Sequence, residues 1–297
     1  VSLSRIAADG QTLRSPRSRS VSGSSTLGDV TDGLLDVCDT HVHFYDRRRP
    51  VAPSAVLTPP AASVAGYRAV QDDLGLESVV VVQPTTYGLD NRCQLDAMAQ
   101  FGDDARGVMV VDAATPDDEL ARLTDLGVRG ARFHMLPGGA VSWSHLDAVA
   151  PRVRRLGWHI QLQLDGHELA GRLSLLLPLA PALVIDHVGR FMPPTGPDGT
   201  AFEALLELVD AGAHVKLSAP YESAPDPAHR YDAVSACVER LVTDAPDRLV
   251  WASNWPHPGQ AGPPSNADLA SLIERWLPTV ELRRRVLVDN PARLYDF

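Results

Sequence analysis

Short runs of β-branched and apolar residues recur along this chain, each followed by a longer stretch with Leu and Ala at helical spacing. No other feature limits the fold as strongly. The apolar runs are Leu34–Asp39, Ser78–Gln83, Gly107–Asp112, Val128–Phe133, His159–Leu164, Leu183–Asp186, His214–Leu217 and Leu249–Ala252, eight in number. Between them the spacing predicts helices such as Asn91–Gln100, Asp117–Leu126, Ser144–Leu156, His167–Leu177, Ala201–Ala211, Tyr231–Asp244 and Asn266–Trp276. The wholly apolar stretch Val79–Val82 suits a parallel strand covered on both faces. Eight strand–helix units in roughly 260 residues match a (β/α)8 TIM barrel, since doubly wound sheets more often have five or six strands. A single α/β barrel domain is therefore expected over residues 34–297.

Residues 1–33 differ in kind, being rich in Ser, Arg and Gly without apolar periodicity. Such a segment cannot bury enough surface to offset its ordering entropy, so a flexible or docking arm is expected. Its arginines are interspersed with Asp9, Asp29 and Asp32, which argues against an anion-binding tail. The whole chain carries 27 basic and 37 acidic residues, a net charge of −10. A surface of this sign repels phosphate backbones, so no nucleic-acid partner is expected. An anionic substrate must instead be met by locally placed Arg or Lys. Cys38, Cys93 and Cys237 have no C-x-x-C spacing, so neither a disulfide framework nor a thiolate zinc site is predicted. A reducing cytoplasm is the expected setting. No run of 18 apolar residues and no apolar signal core occurs, so no membrane partner is expected. The composition leaves homo-oligomer formation open.

In a barrel of this kind the chemistry lies at the carboxyl ends of the strands. The first strand ends in D-T-H-V-H-F-Y-D, where His41 and His43, at i and i+2, point to one side of an extended chain. The fourth ends in Arg132-Phe133-His134, with Arg132 and His134 on one face. A barrel-facing arginine is costly without a partner and is suited to a carboxylate. The fifth presents Gln161 and Gln163, the sixth Asp186, His187 and Arg190, and the seventh Lys216 and Ser218. After the eighth come Asn254 and His257. Taken singly each has a structural alternative: Asp186 as a turn cap, Arg190 in a surface pair, Lys216 against a barrel carboxylate. Five of the ten histidines nevertheless fall where a barrel places its site. Trp143, Tyr87 and Tyr221 are aromatic candidates for the pocket wall, or simple packing.

With these residues, the motifs D-T-H-V-H-F-Y-D, V-I-D-H-V-G-R, N-W-P-H-P and D-N-P-A-R-L-Y resemble the amidohydrolase superfamily. P-T-T-Y-G-L-D-N-R at Pro84–Arg92 and G-V-R-G-A-R-F at Gly127–Phe133 narrow the resemblance to the amidohydrolase-2 branch of 2-pyrone-4,6-dicarboxylate lactonase, sugar-acid lactonases and D-galactarolactone isomerase. The similarity spans about Asp36 to Phe297. It implies an enzyme acting on a small, usually anionic, lactone or cyclic ester, with His41, His43 and His187 at the reaction centre. The resemblance also implies an aspartate after the eighth strand and, in metal-dependent members, a histidine ligand after the fifth. This chain has Asn254 and Gln163 at those places.

An amide can only donate and accept hydrogen bonds, whereas a carboxylate can bind metal or act as a base. The expectation is therefore a cofactor-free site with His41, His43, His187 and Asn254 as catalytic residues. Arg132, His134, Gln163, Lys216, Arg190, Tyr87 and His257 are the expected substrate-binding residues. The alternative is zinc held by His41, His43 and His187. Because imidazole has a reference pKa near ~6.5, one histidine is expected to be a neutral base and another a cationic acid. Three activities remain open at this level: lactone hydrolysis or isomerisation; a lyase, dehydratase or cyclase reaction in which Asn254 positions a carbonyl; and a binding homologue without catalysis.

Overall fold

The structure, a computed structural model, describes residues 31, 33–193, 196–223 and 231–297. The expected arm lies almost wholly outside the described residues. Eight strands follow one another: β1 (Cys38–Val42), β2 (Ser78–Val82), β3 (Ala105–Met109), β4 (Val128–His134), β5 (His159–Gln163), β6 (Leu183–Ile185), β7 (His214–Leu217) and β8 (Leu249–Trp251). Each pairs in parallel with the next, in sequence order. The principal helices are α1 (Val64–Leu74), α2 (Arg92–Phe101), α3 (Asp117–Asp125), α4 (Trp143–Arg155), α5 (Leu169–Leu176), α6 (Thr200–Asp210), α7 (Asp232–Asp244) and α8 (Asn266–Trp276). A closing helical run, α9 (Val280–Arg284), a π turn (Arg285–Asp289) and α10 (Asn290–Tyr295), ends the chain. This is the TIM-barrel architecture that the strand count implies.

The four valines of β2 show how both faces are filled. Val79 and Val81 join the large core shared with the helices, while Val80 and Val82 pack with Cys38, Val108 and Tyr295 in a second cluster. Alternation on a strand buried on two sides forces this division.

Two strands sit elsewhere than expected. β1 begins at Cys38 rather than Leu34, because Leu35 is 56% exposed and Asp36 adopts a left-handed φ of 62° that breaks an extended run. β3 ends at Met109 because the Asn91 side chain takes both backbone groups of Val110, donating to its oxygen at 2.8 Å and accepting from its nitrogen at 3.1 Å. Periodicity did not reveal α1, which starts on the Ser63 cap.

The seam between β8 and β1 is stitched mainly by side chains. Asp39 accepts from the Ser253 nitrogen (3.0 Å), the Ser253 hydroxyl (2.5 Å), Tyr67 (3.0 Å) and the His41 nitrogen (3.2 Å). Thr40 donates to the Trp251 oxygen at 2.8 Å. Two backbone bonds complete it, Asn254 to His41 at 3.1 Å and Trp255 accepting from His43 at 2.9 Å. The same contacts bring the ends of β1 and β8 to one place at the carboxyl-terminal mouth. No helix among the described residues is long and apolar enough to cross a membrane. The three cysteines are free and buried.

Candidate active site

The two histidines of β1 meet edge to face, with Nε2 of each 3.2 Å apart and ring centroids 4.7 Å apart. Their protons follow from the neighbours. His43 Nδ1 lies 2.8 Å from the Val82 carbonyl oxygen, which can only accept, so His43 carries its proton there. Its Nε2 then accepts from His41 Nε2. That leaves His41 Nδ1 as a lone pair, approached by Gln161 Nε2 at 3.4 Å, Lys216 Nζ at 3.5 Å and Asp186 Oδ1 at 3.4 Å.

A second group descends from β4 and β5. Arg132 donates to the Gln83 carbonyl at 2.6 Å and to Gln163 Oε1 at 2.7 Å, and His134 Nδ1 donates to the same amide oxygen at 3.1 Å. The period of two thus brings Arg132 and His134 to one acceptor. Arg132 is buried, and its Nε has no partner.

Lys216 is wholly buried and donates to the Thr40 carbonyl (2.6 Å) and Gln161 Oε1 (2.8 Å). Gln161 in turn donates to Asp186 Oδ2 at 3.1 Å. With its third direction towards His41, the ammonium is committed inside the barrel. Asp186 Oδ1 lies 3.9 Å from the same ammonium.

The loops after β6, β7 and β8 carry a run of left-handed backbone: His187 (φ 55°), Val188 (54°), Arg190 (49°), Ala219 (44°), Asn254 (60°) and His257 (61°). Such conformations are costly for residues other than glycine and gather where side chains must be aimed. His187 Nδ1 pairs with the Ser218 hydroxyl at 2.8 Å. Asn254 Nδ2 donates to the Tyr221 hydroxyl at 2.9 Å, and that hydroxyl lies 3.0 Å from His257 Nδ1. Asn254 Oδ1 is left buried without a partner, as is Asp186 Oδ1. Asn254 therefore offers the site an unpartnered acceptor, while one of its two N–H donors is held by Tyr221.

Two expected binding residues are engaged elsewhere. Arg190 pairs with Glu222 at 2.9 Å, both being partly exposed at the rim. The Tyr87 hydroxyl accepts from the Asp46 nitrogen at 2.8 Å and donates to its carbonyl at 3.0 Å, holding the loop that follows β1. Tyr221, Asp186, Gln161 and Gln83 belong to the site more closely than sequence reasoning placed them. The sequence signal for Gln161 is its i, i+2 spacing with Gln163, and for Asp186 its place beside His187.

The expected division into a neutral and a cationic histidine is corrected. Burial, reinforced by the neighbouring Arg132, holds His43 at about 3 and His134 at about 3. Burial also drives His41 and His187 well below the usual imidazole value, with Lys216 adding to the effect on His41. All four are neutral at cellular pH and can accept protons. Lys216 falls to about 8 through burial, despite the attraction of Asp186.

His41, Asp186 and His187 each offer a ligand atom within 4.8 Å of one another, a group of the size that holds one divalent ion. This group speaks for the zinc alternative over a cofactor-free site, and it differs from the expected set in holding Asp186 where His43 was expected. The donor set fits such an ion in kind, two neutral imidazoles and a carboxylate oxygen that no hydrogen bond satisfies.

The family model described as amidohydrolase (Amidohydro_2) matches residues 38–297. The chain belongs to this amidohydrolase family. Among curated relatives, this amidohydrolase is 36% identical over 263 residues to D-galactarolactone isomerase of Agrobacterium fabrum, covering 86% of this chain and 90% of that protein. It is 35% identical over 272 residues to the 2-pyrone-4,6-dicarboxylate hydrolase of Comamonas testosteroni, covering 86% and 89%. A solved apo structure from Agrobacterium tumefaciens, 36% identical, superposes with a TM-score of 0.82 over 88% of this amidohydrolase and 96% of that chain.

Proposed function

We propose that this amidohydrolase acts on a small carboxylated lactone, by hydrolysis or by isomerisation of the ring. The observation that carries the reading is the buried acceptor Asn254 Oδ1 facing no partner beside neutral imidazoles, with Arg132 in the same buried site. An O–H group, from water or from a hydroxylated ring, satisfies that acceptor; a neutral histidine takes its proton as the oxygen attacks the ester carbonyl carbon, and passes it on to the ring oxygen as the old C–O bond breaks. Arg132 Nε supplies charge for the carboxylate. The relatives named above support the substrate class. An elimination in which Asn254 holds a carbonyl draws on the amide N–H groups, one of which Tyr221 already takes.

The finer reading of the triplet is a zinc ion held by His41, Asp186 and His187. When bound, zinc supplies Lewis-acid polarisation of an ester carbonyl. Zinc titrated into metal-free protein should bind at about one equivalent per chain. Asp186→Asn should abolish this binding, and Lys216→Met, which removes a competing ammonium, should tighten it. Retention of zinc by Asp186→Asn would refute this ligand set. For the reaction, wild type should turn over a panel of carboxylated lactones while His187→Ala loses about 10²-fold or more in kcat. Absence of turnover on every lactone tried, or an unaffected His187→Ala variant, would remove the proposal.

A further inference from the structure

Among the described residues, nine buried side-chain polar atoms lack a partner, and they gather mainly at two places. Four belong to the mouth: Gln83 Oε1, Arg132 Nε, Asp186 Oδ1 and Asn254 Oδ1. Three more lie at the opposite end of the barrel: both ring nitrogens of His159 and Nδ1 of His214. These histidines open β5 and β7 and line a cleft of about 850 Å³ on the amino-terminal face. Orphaned buried polar atoms call for a partner in the functioning protein, whether water or a ligand.

The sequence makes room for this arrangement. Gly130 lies against the His159 ring, and a Cβ there would come within 2.4 Å of His159 Nε2. Tyr295 meets the same ring edge to face at 5.2 Å. Arg248 and Arg293 also line the cleft. Their charges, after burial, hold His214 near 4, so the imidazole stays neutral between two cations. No carboxylate of the described residues is paired with Arg248, and Arg293 donates to the neutral Asn290 amide at 2.5 Å. Asp247 is turned to Arg285 at 3.3 Å, which leaves Asp210 as the remaining carboxylate of the lining.

We propose that this basal cleft is a second binding site, built for a hydrogen phosphate group carried by a small organic molecule or free in solution. Its anionic oxygens meet the exposed guanidinium groups of Arg248 and Arg293, with His214 behind them. Its remaining O–H meets Asp210. A fully ionised anion meets Asp210 without that proton and is disfavoured. The volume exceeds what phosphate alone requires, which leaves room for an organic remainder.

Calorimetric titration at about pH 5.5, where a phosphate monoester still carries one proton, with inorganic phosphate, glucose 6-phosphate and sulfate tests the site. Saturable binding of both phosphates, with sulfate at least tenfold weaker, is expected. Tighter binding of the ester identifies the organic source, and equal binding identifies free phosphate. Arg248→Gln with Arg293→Gln should weaken phosphate at least tenfold, and Asp210→Asn should erase the preference over sulfate. Arg190→Gln, at the opposite mouth, should change neither. The absence of saturable binding at millimolar concentrations would overturn the proposal. So would binding that Arg190→Gln removes and the basal variants leave intact. Should the double variant fold poorly, the Asp210→Asn result decides, because a missing change in the phosphate-to-sulfate ratio also overturns it.

Discussion

At the scale of single residues, Tyr221 determines what Asn254 can do. By accepting one N–H of Asn254 Nδ2, with His257 on its other side, it orients the amide so that Oδ1 is left unpartnered. Tyr221→Phe should therefore lower kcat about tenfold, the scale of one lost hydrogen bond of about 1.4 kcal/mol, with little change in thermal stability. Steady-state kinetics beside a melting curve separates the two effects. Asn254→Asp tests the same position from another side. It places a base where a neutral acceptor stood, and lactone hydrolysis should be preserved or rise; a fall of more than tenfold would show that the neutral acceptor matters. The pairings of His41 with His43 and of Arg132 with His134 were legible in the sequence, because a period of two places such residues together. The taking of one Asn254 N–H was not, because Tyr221 is 33 residues away and approaches through a left-handed turn at Ala219.

At the scale of elements, the weakest joint of the barrel is the seam between β8 and β1, where the carboxylate of Asp39 gathers four donors. Asp39→Asn keeps the shape but turns one acceptor into a donor facing other donors. A loss of about 2–3 kcal/mol is expected, the range for a hydrogen bond to a charged group, measurable by urea unfolding. The disturbance should also reach the site, since the seam sets the position of His41 and Asn254. Strand number and most helices could be read from apolar spacing. The ends of β1 and β3 could not, because they depend on the left-handed turn at Asp36 and on the distant side chain of Asn91. Local pattern carries no record of either.

At the scale of the whole molecule, burial of histidine governs the response to acid. His43, His134 and His159 are held at about 3 and His214 and His257 at about 4, against ordinary values near 6.5 in the unfolded chain. Below about 6.5 the unfolded chain therefore binds protons that the folded barrel refuses. Stability should be level above that pH and fall progressively below it, by at most about 1.4 kcal/mol per pH unit for each proton taken up. Denaturant midpoints measured from pH 7.5 down to 4 check this, and a flat profile would contradict the buried neutral state. By itself the sequence determined the barrel and the set of polar residues at its mouth, since strand count and alternation are local properties of the chain. Only the tertiary structure decided which of them touch, which nitrogens carry protons, and that Asp186 rather than His43 joins His41 and His187. Those outcomes depend on burial and on partners from other strands, and both exist only once the sheet has closed.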